Sequence, residues 1–190
     1  KETLPTFAHC GMILAPDRSK LSKRHGATAV SDFVEQGYLP EAFCNFMALL
    51  GWSPSDDNEI LSIDEIAGQF SLERLAQSPA IFDKDKLHHL NKHYIKAMEN
   101  SALLERVTPY LKEFNLEQYS QEQLCLMLGI TKEKCTLLSD FPDHVNYFFG
   151  PSVIYDAQIV GEVLMTNEGK QVLEKLKAEF LPSADFNNIE

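Results

Sequence analysis

The sequence contains no run of about 18 apolar residues, so no segment reads as a membrane-spanning helix. Its start lacks the charged-then-apolar pattern of a secretory signal and opens on Lys1 rather than Met, which reads as an interior position of a longer chain. Basic residues are scarce: 17 Lys and Arg face 28 Asp and Glu, for a net charge of −11. That balance argues against a general nucleic-acid binder, because phosphate contacts need Lys and Arg. It leaves room for local basic patches on an acidic body. Cysteine is sparse too. Cys10, Cys44, Cys125 and Cys135 show no Cys-x-x-Cys spacing and sit in apolar contexts. Reduced core thiols in a cytosolic protein are the expectation, with no structural metal site. Neither internal repeats nor low-complexity tracts occur.

What is present is an ordinary globular composition, 44% hydrophobic and 24% charged, over 190 residues. This is enough for one large or two small domains with a real core. Against the acidic background, Arg18-Ser19-Lys20-Leu21-Ser22-Lys23-Arg24-His25-Gly26 gathers four basic residues within seven positions. Ser19, Ser22 and Gly26 separate the charges, which predicts a mobile loop rather than a helix surface. Two lysines on such a loop can follow charge as it moves on a polyphosphate. Taken alone the string is degenerate, and a solvated basic turn would look the same.

Gly11 to Ala15 reads as a short extended segment feeding this loop, and the rest of the chain reads as helical. Ser31 is an expected N-cap with Asp32 in the first turn, and Gly37 ends that helix. Pro40 and Glu41 open the next, with Phe43, Met47 and Leu50 on its core face and a stop at Gly51. Ser53 to Asn58 is an acidic turn, after which Ser62 and Glu65 form a capping box for a helix through Phe70. Asp83 caps a helix burying Leu87, Leu90 and Tyr94, while Lys86, His89, His93 and Lys96 recur at helical spacing on an adjacent face. That face is either a solvated surface or an RNA-backbone contact. His89 and His93 have two-ligand spacing, but no third ligand stands nearby, so no metal is expected there. Asn100 or Ser101 begins a helix with Leu104, Val107 and Leu111 as its stripe, interrupted at Pro109. Ser120 with Gln123 boxes another, Thr131 opens one holding Leu137 and Leu138, and Thr166 opens the last with Val172, Leu173, Leu176 and Phe180 inward. Phe186 to Glu190 reads as the start of a further helix.

Lys20-Leu21-Ser22-Lys23-Arg24 resembles the second signature of class I aminoacyl-tRNA synthetases in its glutamate-enzyme form. Phe7-Ala8-His9 and Ile13-Leu14-Ala15-Pro16-Asp17-Arg18 precede it as in bacterial-type glutamyl-tRNA synthetases. Gly37 to Ala42, Leu49 to Pro54, Ser78 to Asp83, Lys86-Leu87 through Asn91, and His93-Tyr94-Ile95 follow in that family's order; beyond Lys96 the likeness thins to features such as Tyr147-Phe148-Phe149. The resemblance implies a mainly α chain with a short strand and loop remnant at the N-terminus. Residues 1–99 would end a class I catalytic domain and supply a helical stem-contact-like region. Residues 100–190 would begin an α-helical anticodon-binding bundle.

By the same resemblance Lys23 contacts ATP, Lys20 is its weaker partner, and Leu21, Ser22 and Arg24 complete the loop. The face bearing Lys86, His89, His93 and Lys96 lies in the part that resembles the stem-contact region. There the RNA-backbone alternative would have it touch tRNA, and the other alternative leaves it a solvated surface. The implied substrates are tRNA(Glu), glutamate and ATP with Mg2+, in a monomeric protein of the bacterial cytoplasm or an organelle. One departure stands out: the family's first signature, His-Ile-Gly-His or a variant, is absent, and His88-His89-Leu90-Asn91 lies in the wrong place to replace it. The glutamate pocket and tRNA 3′-end site would lie upstream, so a C-terminal fragment, inactive alone, is the expectation. A non-catalytic tRNA-binding module and a helical interaction module are the alternatives; neither needs an intact signature. Glutaminyl enzymes continue into β-barrels, and the paralogue that modifies a tRNA base lacks an anticodon region, so the helical second half disfavours both.

Overall fold

The computed structural model describes residues 5, 7–26, 29–56, 58–149 and 157–179. Several helix starts are fixed by side chains that satisfy their own first turn. Ser62 Oγ accepts from Glu65 N at 3.3 Å while the Glu65 carboxylate accepts from Ser62 N at 2.8 Å, the reciprocal pair expected of a capping box. Ser120 and Gln123 repeat the device. Asp83 Oδ1 takes both Asp85 N and Lys86 N, leaving fewer orphan donors at the following helix.

Two short strands, β1 (Ile13–Leu14) and β2 (Ala80–Ile81), pair in parallel. They are joined by the helices α1 (Val30–Glu35), α2 (Pro40–Gly51) and α3 (Ile63–Gln69). Beyond β2 come α4 (Lys84–Ala97), α5 (Asn100–Val107), α6 (Gln121–Thr131) and α7 (Phe141–Phe149). The chain packs as two compact units, Lys1–Phe149 and Gly150–Glu190. Within the first, α2 packs on α3 and α4, and α6 packs on α5 and α7. One cluster of buried side chains links Leu39 and Ala42 to Ile95, Leu103, Val107, Leu128, Phe141 and Val145. A second gathers Phe33, Tyr38, Phe46, Leu87 and Leu90, and a third Trp52, Leu61 and Ile66. In the second unit α8 (Ala157–Ile159) runs into a π-helical turn, Val160–Leu164, and then α9 (Asn167–Glu179). Thr166 Oγ1 accepts from Gly169 N at 3.0 Å, which places it at the start of α9 as expected.

Several expectations need correction. Ser31 lies inside α1; the N-cap is Ala29, whose N–H is bound by the Asp32 carboxylate at 3.1 Å. In α2 the buried residues are Ala42, Asn45 and Phe46, while Met47 is exposed, so the core face is rotated from the stripe read in the sequence. In α5 it is Leu103 rather than Leu104 that is fully buried beside Val107. Thr131 ends α6 instead of opening a helix, and Leu138 sits in a 3-10 turn ahead of α7. Val172, Leu173 and Leu176 are about half exposed rather than inward. Phe180 and Phe186 to Glu190 fall outside the described residues. Of the four free thiols only Cys135 is buried, and Cys10 and Cys44 are exposed.

Candidate functional site: a signature loop on a hairpin

β1 is flanked on both sides. On one side Ala80 N donates to Met12 O at 3.0 Å and Phe82 N to Leu14 O at 2.8 Å. A Cβ on Gly11 would stand 2.3 Å from Ser78 O, so only glycine lets the two segments come this close. On the other side the chain folds back on itself. Arg18 N donates to Ala15 O at 2.8 Å, Ala15 N donates to Ser19 O at 2.8 Å, and Leu14 pairs antiparallel with Lys20. Pro16 takes the second position of this turn, where its ring presets φ. Asp17 Oδ1 accepts from Ser19 N at 2.9 Å. Arg18 follows at φ 66°, the left-handed position that a three-residue hairpin connection demands. A non-glycine residue there costs about 1–2 kcal/mol.

The segment Lys20 to Arg24 is therefore not wholly the loop that its small residues indicated. Lys20 belongs to the return limb of a hairpin, and Leu21 N still reaches Ile13 O at 3.3 Å. A 3-10 turn, Lys23–His25, then ends on Gly26 at φ 104°. Leu21 and Ser22 are half-buried, whereas Lys20, Lys23 and Arg24 are exposed. The arrangement presents three exposed cations, Lys20 from the limb pinned to β1 and Lys23 and Arg24 from the 3-10 turn that follows. Exposed, strongly hydrated ammonium groups on a fixed backbone suit a polyanion.

On α4 the four residues singled out by spacing do share one side, but they are not equivalent. Lys86 Nζ pairs with Glu59 at 2.6 Å, and Lys96 Nζ pairs with Glu133. His89 and His93 are exposed, and no group of three metal-ligating side chains occurs among the described residues. Spacing along one helix could not reveal the partners, because Glu59 and Glu133 come from other parts of the chain. It also missed Lys92 and Lys132, which lie close enough to Glu133 to help Lys96 hold its carboxyl below the usual range.

Residues 1–89 match the family model of the catalytic domain of class I tRNA synthetases (E and Q), and residues 102–189 match an anticodon binding domain. A class I synthetase catalytic domain followed by an anticodon binding domain is what these two matches define. Glutamate–tRNA ligase 1 of Caldanaerobacter subterraneus subsp. tengcongensis is 40% identical over 189 residues, covering 98% of this chain and 39% of the relative. Glutamate–tRNA ligase of Carboxydothermus hydrogenoformans is 37% identical over 193 residues, 98% of this chain and 40% of the relative. A solved glutamate tRNA ligase from Elizabethkingia meningosepticum, in complex with its amino acid, superposes with a TM-score of 0.81 at 32% identity, over 96% of this chain and 39% of that one. The chain belongs to the glutamate–tRNA ligase family, and it spans about two fifths of the length of these relatives.

Proposed function

We propose that this chain is the part of a glutamate–tRNA ligase that carries the ATP-contacting loop and the helical tRNA-binding regions. Residues 1–99 supply the end of the catalytic domain and the stem contact, and residues 100–190 the first part of the anticodon-binding bundle. The whole protein, a monomer, attaches glutamate to tRNA(Glu). In the activation step a glutamate carboxylate oxygen attacks the α-phosphorus of ATP and the bond to the bridging oxygen breaks. Pyrophosphate leaves; a hydroxyl of the terminal ribose then attacks the acyl carbon of glutamyl-adenylate, gives up its proton and expels AMP. Negative charge grows on phosphate oxygens as this happens. Cations held on a preorganised backbone stabilise that state more than the ground state. Lys23 takes this role, with Lys20 as the weaker partner and the Leu21, Ser22 and Arg24 backbone shaping the turn. ATP enters as its Mg2+ complex, whose cation shares the phosphate charge with these lysines. The α4 side bearing Lys86, His89, His93 and Lys96 faces the tRNA backbone.

The observation that supports this reading is the exposed Lys20 on the β1 hairpin and the exposed Lys23 in the 3-10 turn after it, within a segment that matches the catalytic-domain model. A purely RNA-binding or structural module would not need the intact Lys20-Leu21-Ser22-Lys23-Arg24 signature. The test is Lys23→Ala in an enzyme that contains this chain, read as glutamate-dependent exchange of pyrophosphate into ATP. Removing one transition-state charge donor should lower the rate by on the order of 10²-fold. A change of only a few-fold would overturn the role given to Lys23.

A further inference from the structure

Two elements bring their cations to one carboxylate. Lys96 of α4 pairs with Glu133, just past the end of α6. Lys92 stands one turn earlier on α4, on the same side. Lys132, the neighbour of Glu133, is held in place by donating from Nζ to Met98 O at 2.9 Å, where α4 ends. Both add to the field at Glu133. One acid thus pairs with Lys96 and lies in the field of Lys132 and Lys92, in a protein whose overall charge is −11. The Lys96 and Glu133 side chains are 38% and 60% exposed, so a large polyanion can reach the group. An exposed ion pair of this kind contributes little to stability. Its position between two elements says more than its strength.

We propose that Lys92, Lys96 and Lys132 form a binding site for an RNA backbone phosphate and that Glu133 acts as its internal competitor. In the free protein the Glu133 carboxylate occupies the site. When RNA docks, a phosphate takes over Lys96 and Glu133 swings into solvent. The cost of displacing Glu133 lowers affinity for any polyanion that touches this spot alone, so only RNA held elsewhere on the chain fills it. This rests on the tRNA reading above and deepens it, since it moves the contact from the α4 face to the α4–α6 junction.

The prediction is opposite in sign to that of a structural ion pair. Binding of a tRNA(Glu) transcript by the 190-residue chain is measured across a salt series. Glu133→Gln keeps the shape of the side chain and removes the competitor. It should tighten binding roughly three- to tenfold and steepen the slope of log affinity against log salt by up to roughly 0.7 to 0.9. Lys92→Ala should weaken binding and flatten the slope. The double variant Glu133→Gln, Lys92→Ala should fall between them. If the wild-type chain binds the transcript but Glu133→Gln leaves affinity unchanged or weakens it, the competitor is overturned while the tRNA reading stands. Absence of any binding by wild type and by Glu133→Gln alike would overturn both.

Discussion

Tyr38 shows how much one atom can say. The residue is 3% exposed, its ring stacks on His88 at 5.7 Å, and its hydroxyl finds no hydrogen-bond partner among the described residues. Burial, helped by the nearby Asp140 carboxylate, pushes the phenol from 10.0 up to about 12. A group whose folded pKa is raised contributes stability that is fully present below the unfolded value. That contribution fades as pH rises from about 10 towards about 12. Tyr38→Phe removes both the unpaired hydroxyl and the titration. At pH 7 the variant should be as stable as wild type or more so, by up to about 1 kcal/mol, because no bond is lost. Between pH 10 and 12 its melting temperature should fall by less than that of wild type, followed by circular dichroism. Tyr94 and Tyr110 are also raised by burial but are common to both proteins, so the difference isolates Tyr38. Identical pH profiles would show that the hydroxyl is hydrated after all.

At the scale of elements, what could be read in advance was whatever is decided within four residues. Ser62 with Glu65, Ser120 with Gln123, Asp83 and Pro40 all open the helices they signal. Pro109 ends α5 at Val107. Some misreadings have distant causes and others local ones. β2 is two residues long and exists because Met12 and Leu14, far back in the chain, accept its hydrogen bonds. The α2 stripe was misphased because Asn45 is buried, its Oδ1 accepting from Leu61 N at 3.1 Å. α7 did carry a local signal. Asp140 Oδ2 binds Thr136 N and Leu137 N, each at 2.8 Å, and Pro142 stands second in the helix. The hairpin of the candidate site was missed because its left-handed residue is Arg18 rather than glycine.

Asn91 is the strongest case of distant bonding. Fully buried in α4, it accepts from Leu39 N at 2.8 Å and donates to Thr136 O at 2.5 Å. It thereby ties the start of α2 to the turn before α7. Asn91→Leu keeps the size but leaves the buried Leu39 N–H and the part-buried Thr136 C=O without this partner, each costing up to about 1–3 kcal/mol. Chemical denaturation should show a loss of about 2–5 kcal/mol with the slope against denaturant unchanged. A loss under about 1 kcal/mol would mean that water replaces the amide.

For the whole molecule, the division of roles proposed near residue 99 has no counterpart in the core of the first unit. Leu39, Ala42 and Ile95 precede it, Leu103, Val107, Leu128, Phe141 and Val145 follow it, and all belong to one buried cluster. Polar bonds cross the same line. Leu138 N donates to Gly37 O at 2.9 Å, Ser139 Oγ to Gln36 O at 2.8 Å, and Tyr110 OH to Val34 O at 3.2 Å. Gly37 adopts φ 90°, and a Cβ there would stand 2.6 Å from Ser139 N, so the crossing needs glycine. Surface pairs such as Arg106 with Glu41, at 2.9 Å, add little to this. A shared core of this kind opens as one step, because exposing either half strips the other of its contacts. Two natural reporters flank the line. Trp52, the single tryptophan, is 2% exposed against Leu61 and Ile66. Cys135 is fully buried, and burial pushes its thiol up to about 12. In a urea titration, Trp52 fluorescence and alkylation of Cys135, located by peptide mapping, should give coincident midpoints. Exposed Cys10 and Cys44 will label at every concentration and serve as internal controls. Midpoints separated by more than experimental error would mean that the two sides open independently, and that the core seen across residue 99 couples them only weakly.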